Sequence, residues 1–184
     1  MAELSGLRVA ALVTDGFEES ELFEPVDALQ KAGAHVEVVS PKPGAVQGFH
    51  HFEKGRSVPA DRLLHDVRAE DYDALLLPGG AMNADALRGM AEVQMFVRHF
   101  QDAGKPMAII CHAPWILVSA DLVHGRRLTS YHTIRDDIRN AGGDWLDQEV
   151  VEDDNWVSSR KPRDIPAFNE AMLKLFSRTP AGKR

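Results

Sequence analysis

The sequence predicts a doubly wound α/β domain built on a mainly parallel sheet. Three observations point there. Short apolar runs alternate with segments of helical periodicity, and the runs end in glycine, proline or aspartate turns. The 184 residues, with 44% hydrophobic content, suffice for one sizeable core. One domain is expected over residues 1–178, followed by a loose polar tail over 179–184.

Arg8-Val-Ala-Ala-Leu-Val13 reads as the first strand, because an uninterrupted apolar run of this length suits a strand covered on both faces. Asp15-Gly16 turns the chain into an amphipathic helix from about Glu19 to Ala32, with Leu22, Val26 and Leu29 near helical spacing and Gly33 as its stop. His35 to Ser40 is the second strand, ended by Pro41 and Pro43. The glycines, charges and Pro59 between Val46 and Leu64 predict a surface hairpin. Asp73-Ala-Leu-Leu-Leu77 is another buried strand, stopped by Pro78-Gly79-Gly80. A helix follows from about Val93 to Ala103, with Val93, Phe96, Val97 and Phe100 on one face and Gly104 at its end. Met107-Ala-Ile-Ile110 is the next strand. Helices are then expected over about Ala113–Ala120 and Thr133–Ala141, short strands at Val150-Val151 and Trp156–Ser158, and a last helix over about Pro166–Ser177.

Composition narrows the function. A net charge of −7 and a pI near 5.6 argue against nucleic acid as the main partner. No apolar run approaches the roughly 20 residues of a membrane span, and Met1 to Leu7 does not read as a secretion signal. The single cysteine cannot form an intrachain disulfide, which suits a reducing cytoplasm. The histidines have no metal-ligand spacing with that cysteine, and neither a dinucleotide fingerprint nor a phosphate loop is present. No metal and no cofactor are expected.

Ligands of a doubly wound sheet sit beyond the carboxyl ends of its strands. Three such ends are unusual here: Asp15-Gly16, Pro78-Gly79-Gly80 and Cys111-His112. Cys111 stands where Ile109-Ile110 stops and Ala113-Pro114 begins a helix. Such an elbow holds a nucleophile in a strained backbone, with amides at the helix start near its side chain. Those amides and His112 are expected to hold the thiol pKa well below its ordinary value of about 8.5. The alternative is a buried structural cysteine. His112 is placed to exchange a proton with the thiol, or merely to line the pocket. Glu18, Glu19 and Glu21 follow the first strand. Glu21, one turn into the helix beside Leu22, is favoured as a proton-sharing partner of the sulfur, against the simpler role of complementing the helix dipole. Gly79 and Gly80 let backbone amides approach a ligand closely, although a plain turn would use the same residues.

Together these residues resemble the ThiJ/PfpI superfamily, which includes the PfpI intracellular proteases and the parkinsonism-associated deglycases. The resemblance rests on Asp15-Gly-Phe-Glu-Glu-Ser-Glu-Leu22, Leu77-Pro-Gly-Gly80, Ala108-Ile-Ile-Cys-His-Ala-Pro114 and Asn155-Trp-Val-Ser-Ser-Arg160. It implies a flavodoxin-like sandwich of the class I glutamine amidotransferase-like type, assembled as a homodimer or a larger homo-oligomer. It also implies a nucleophile at Cys111, a neighbouring base at His112, a pocket glutamate at Glu21 and an assisting acid at Glu18. The family acid that reaches the histidine of a neighbouring subunit is matched by Asp85. Ala113 stands where the PfpI pattern has glycine, so its methyl is expected to narrow the oxyanion pocket or to restrict the backbone, Gly79 and Gly80 being the other candidates for that pocket. Trp115 is expected to alter the rim. The activity implied first is a stress-protective cysteine hydrolase of small dicarbonyls or early glycation adducts. The alternatives are an intracellular cysteine peptidase acting on peptides, or a redox sensor or holding chaperone without enzymatic activity.

Overall fold

The computed structural model describes residues 3–179. In chain order the elements are β1 (Arg8–Leu12), β2 (Phe17–Glu18), α1 (Glu19–Lys31), β3 (His35–Ser40), β4 (Ala45–His50), β5 (Glu53–Pro59), β6 (Arg62–Leu63), β7 (Ala74–Leu77), α2 (Ala81–Arg88), α3 (Ala91–Asp102) and β8 (Met107–Ile110). They continue with α4 (Pro114–Ser119), β9 (Arg127–Leu128), α5 (Arg135–Asn140), β10 (Asp144–Trp145), β11 (Val151–Asp153), β12 (Trp156–Ser159) and α6 (Ile165–Phe176).

The central sheet has seven strands in the order β11-β12-β8-β7-β1-β3-β6. All neighbours run parallel except β11, which pairs antiparallel with β12. Strand side chains alternate between the two faces. Ala10, Leu12, Leu75 and Leu77 accordingly enter one core with Val93, Phe96, Phe100 and Ile116. Val9, Ala11, Val13 and Leu76 enter the other with Leu22, Leu29, Phe168 and Met172 from α1 and α6. Both faces are covered, which is why the central strands β7, β8 and, after Arg8, β1 are apolar throughout. Each fully buried Leu or Phe contributes about 1.5–3 kcal/mol, so the two cores hold the sheet rigid beneath the loops at its carboxyl edge.

The fold agrees with the predicted flavodoxin-like α/β class. The predicted Val46–Leu64 excursion is the antiparallel hairpin of β4 and β5, which forms a second small sheet with β2. One helix was not anticipated. The eight residues of α2 start directly from Gly80 without a side-chain cap, and polar Asn83 and Asp85 interrupt the apolar pattern that would have marked the segment. The segment predicted as one helix from Thr133 to Ala141 opens instead as a 3-10 turn at His132–Ile134 before α5 begins. Of the predicted tail, residues 180–184 lie outside the described residues.

Candidate active site

Strand order creates the site. The chain leaves β1 toward β3 on one side and returns to β7 and β8 on the other, so β1, β7 and β8 are adjacent at this reversal. Their carboxyl ends bring the Gly16–Glu21 segment, the Pro78-Gly79-Gly80 turn and Cys111 to one crevice.

Cys111 sits at φ 65°, in the left-handed region, where a side-chain-bearing residue costs about 1–3 kcal/mol. Neighbouring bonds hold it there: its N–H donates to Ser159 at 3.0 Å, and its carbonyl accepts from Tyr131 N–H at 2.7 Å. The predicted strained elbow is therefore present. Its sulfur lies 3.2 Å from His112 Nδ1, so the adjacent side chains do meet. Glu21 projects from the first turn of α1, is fully buried, and faces both the thiol and Gly79. Neither of its oxygens has a hydrogen-bond partner of ordinary geometry; the Gly79 amide and the thiol approach it more loosely.

The turn must be glycine at both positions. A Cβ on Gly79 would collide with the Glu21 carboxyl and stand 2.6 Å from Cys111 Cβ. Gly80 has φ 93°, and a Cβ there would meet the backbone of Gly16 and Glu18. The Gly80 and His112 amides face the sulfur.

Charge in this crevice runs against one sequence-based expectation. Burial pushes the Cys111 thiol above its ordinary pKa, and the Glu21 charge pushes it further, overriding the Gly80 and His112 amides. The expected help from an imidazolium is missing, because burial and the nearby His132 push His112 down to about 4. Burial, reinforced by the Glu18 charge, pushes Glu21 up to about 8. Two buried acids thus face each other, and both cannot ionise readily. The carboxyl ionises first and the thiol then donates to it.

Ala113 departs from its expected place. Its methyl is fully buried in the core with Ile116 and Leu117, so it does not narrow the crevice. Its N–H donates to Ile110 at 3.1 Å and is not free for an oxyanion. Trp115 meets the His112 ring edge to face, with centroids 5.5 Å apart, and its indole N–H donates to Asp137 at 2.7 Å. Asp85 lies on the exposed face of α2 and has no hydrogen bond or ion pair with His112 among the described residues.

Other residues at the site were not anticipated. Tyr131 stacks on His112 with ring centroids 4.7 Å apart. The pairing of β2 with β4 carries the hairpin tip over Glu18, whose carboxylate accepts from His51 N–H at 3.1 Å and stands 3.9 Å from His50 Nδ1. Fully buried Asn83 binds the Pro78-Gly79 turn from below. The position of Asn83 one turn into an unmarked helix, and the dependence of the others on pairings distant in sequence, left no local signal. Among the described residues no group of three or more His, Cys, Asp or Glu is arranged to hold a metal ion, and no helix is long and apolar enough to cross a membrane.

The DJ-1/PfpI family profile matches residues 7–175. Protein/nucleic acid deglycase 2 of Escherichia coli is 44% identical over 172 residues, covering 92% of this chain and 97% of that protein. The putative cysteine protease YraA of Bacillus subtilis is 41% identical over 170 residues, covering 92% and 98%. A solved two-domain protein of Anabaena variabilis, with DJ-1/ThiJ/PfpI-like and ferritin-like domains, superposes with a TM-score of 0.86 at 32% identity, covering 91% of this chain and 47% of that one.

Proposed function

The chain belongs to the DJ-1/PfpI family, and on that premise we propose that it is a cysteine-dependent hydrolase of small dicarbonyls or of their early adducts on amino groups and thiols. The observation that carries this reading is the Cys111 sulfur, held 3.2 Å from His112 and against the buried Glu21 carboxyl. Glu21 as carboxylate takes the thiol proton while sulfur adds to the carbonyl carbon, and the carbonyl π pair moves to oxygen. The Gly80 and His112 amides, which face the sulfur, are assigned as the donors to that oxygen. Glu21 returns that proton to the oxyanion, giving a hemithioacetal. Transfer of the hydrogen on the attacked carbon to the neighbouring carbonyl carbon, through an enediol, turns it into a 2-hydroxyacyl thioester. Water then cleaves the C–S bond, releasing the 2-hydroxy acid and the thiol.

The name of the Bacillus subtilis relative favours a second reading, a cysteine peptidase. A panel of methylglyoxal, a glycated thiol and an unfolded protein separates the two. Turnover of the first two without cleavage of the third is expected. Cleavage of the protein alone would replace the hydrolase reading with the peptidase one.

Asp85 completes the site only in an assembly of chains. His112 is too weak a base as it stands, and a carboxylate beside it would raise its pKa and orient its ring. Asp85 is exposed and available to the His112 of a second copy. Mixing Cys111→Ser with Asp85→Ala subunits, each inactive alone, is therefore expected to restore part of the activity. Asp85→Ala protein that matches wild type on its own would show that the acid is not shared.

A further inference from the structure

Asn83 is fully buried and lies outside the residues that touch a substrate, yet its Nδ2 is spent entirely on one turn. Its Nδ2 donates to the carbonyls of both Pro78 and Gly79, each at 3.1 Å. Its Oδ1 accepts from Thr14 N–H at 2.8 Å, which fixes which end of the amide faces the turn. A peptide unit is planar and trans, so gripping its carbonyl aims its N–H the opposite way. The Pro78 carbonyl belongs to the same peptide as the Gly79 amide, which faces Glu21. The Gly79 carbonyl belongs to the same peptide as the Gly80 amide, which faces the Cys111 sulfur.

We propose that Asn83 is a positioning residue, whose single carboxamide orients the two backbone amides that face the carboxyl and the thiol. Donation to a carbonyl also polarises its peptide and strengthens the N–H at the other end. Glycine at 79 and 80 leaves this turn free of side-chain constraint, so the restraint has to come from outside it. Thr14 N–H ties the same amide to the end of β1, so Asn83 spans two of the three strand ends that build the site. Glu18 N–H, at 3.3 Å from the Gly79 carbonyl, adds a weaker second hold.

The inference rests on Cys111 being the reactive thiol and not on the identity of the substrate, so alkylation with iodoacetamide is its readout. In the full-length chain, Asn83→Ala removes the grip without adding charge, and Asn83→Asp keeps the acceptor for Thr14 while deleting both donors. Losing a well-aimed amide donor to a thiolate is expected to move the alkylation midpoint up by about one pH unit or more. On any substrate that is turned over, kcat is expected to fall about tenfold or more with KM within about twofold. A merely structural role would lower the folded fraction and leave the midpoint of the folded molecules unchanged. That result in either folded variant would overturn the proposal. In wild type, the Gly79 and Gly80 amides are expected to be protected from hydrogen exchange. Rapid exchange at both would overturn it even if neither variant folds. A shifted midpoint in a protein that turns over no dicarbonyl would uphold the role of Asn83 and reject the substrate reading.

Discussion

Cys111→Ser is expected to lower dicarbonyl turnover by about 1,000-fold or more while the protein stays folded. A serine hydroxyl fills nearly the same volume at φ 65°, and the Ser159 and Tyr131 hydrogen bonds to the backbone of residue 111 do not involve the side chain. What is lost is the sulfur. A hydroxyl is a far weaker acid and a less polarizable nucleophile than a thiol, so the Glu21 carboxylate, with a pKa of about 8, ionises a far smaller fraction of it. Steady-state kinetics beside a thermal melt checks both halves of the expectation. Turnover within about tenfold of wild type in the folded variant would mean that the thiol does not form the covalent bond.

Glu21→Gln is expected to cost about 10²–10⁴-fold in turnover, the usual contribution of a positioned acid–base group. The amide matches the carboxyl in shape and fits the space beside Gly79, so the cost falls on proton transfer and not on packing. Its sign with pH follows from burial. A carboxyl raised to about 8 is mostly protonated at neutral pH and cannot accept the thiol proton until it ionises. Wild-type turnover should therefore climb as pH rises through about 8, and this ascending limb should be absent in the glutamine variant. A profile that is flat from pH 6 to 9, or the same limb in both proteins, would remove Glu21 from the chemistry.

The fold was largely legible because its main strands are buried on both faces and so read as unbroken apolar runs, as in Ala74–Leu77 and Met107–Ile110. Cys111, His112 and Glu21 were legible because each belongs to a local pattern: an elbow, a neighbouring pair, and an acid one turn into a helix beside an apolar residue. Asn83, Tyr131 and His51 were not. Asn83 lies on a helix that no apolar pattern marks, Tyr131 meets Cys111 and His112 only through the folded loop after β9, and His51 reaches Glu18 through the pairing of β2 with β4. The direction of the thiol pKa was misread for a related reason. The amides at the elbow are evident in the sequence, but the depth of burial of Cys111 and of its acidic neighbour is a property of the packed cores.

The central claim is that Cys111 and Glu21 form one coupled pair of buried acids, in which the carboxylate forms first and holds the thiol protonated. The rate of Cys111 alkylation by iodoacetamide against pH, in wild type and in Glu21→Gln, tests it most directly. The wild-type midpoint is expected above the ordinary thiol value of about 8.5. It is expected to move down in the glutamine variant, where neither the carboxylate charge nor its hydrogen bond restrains the proton. A wild-type midpoint well below 8.5 that stays in place when Glu21 becomes glutamine would contradict the coupling.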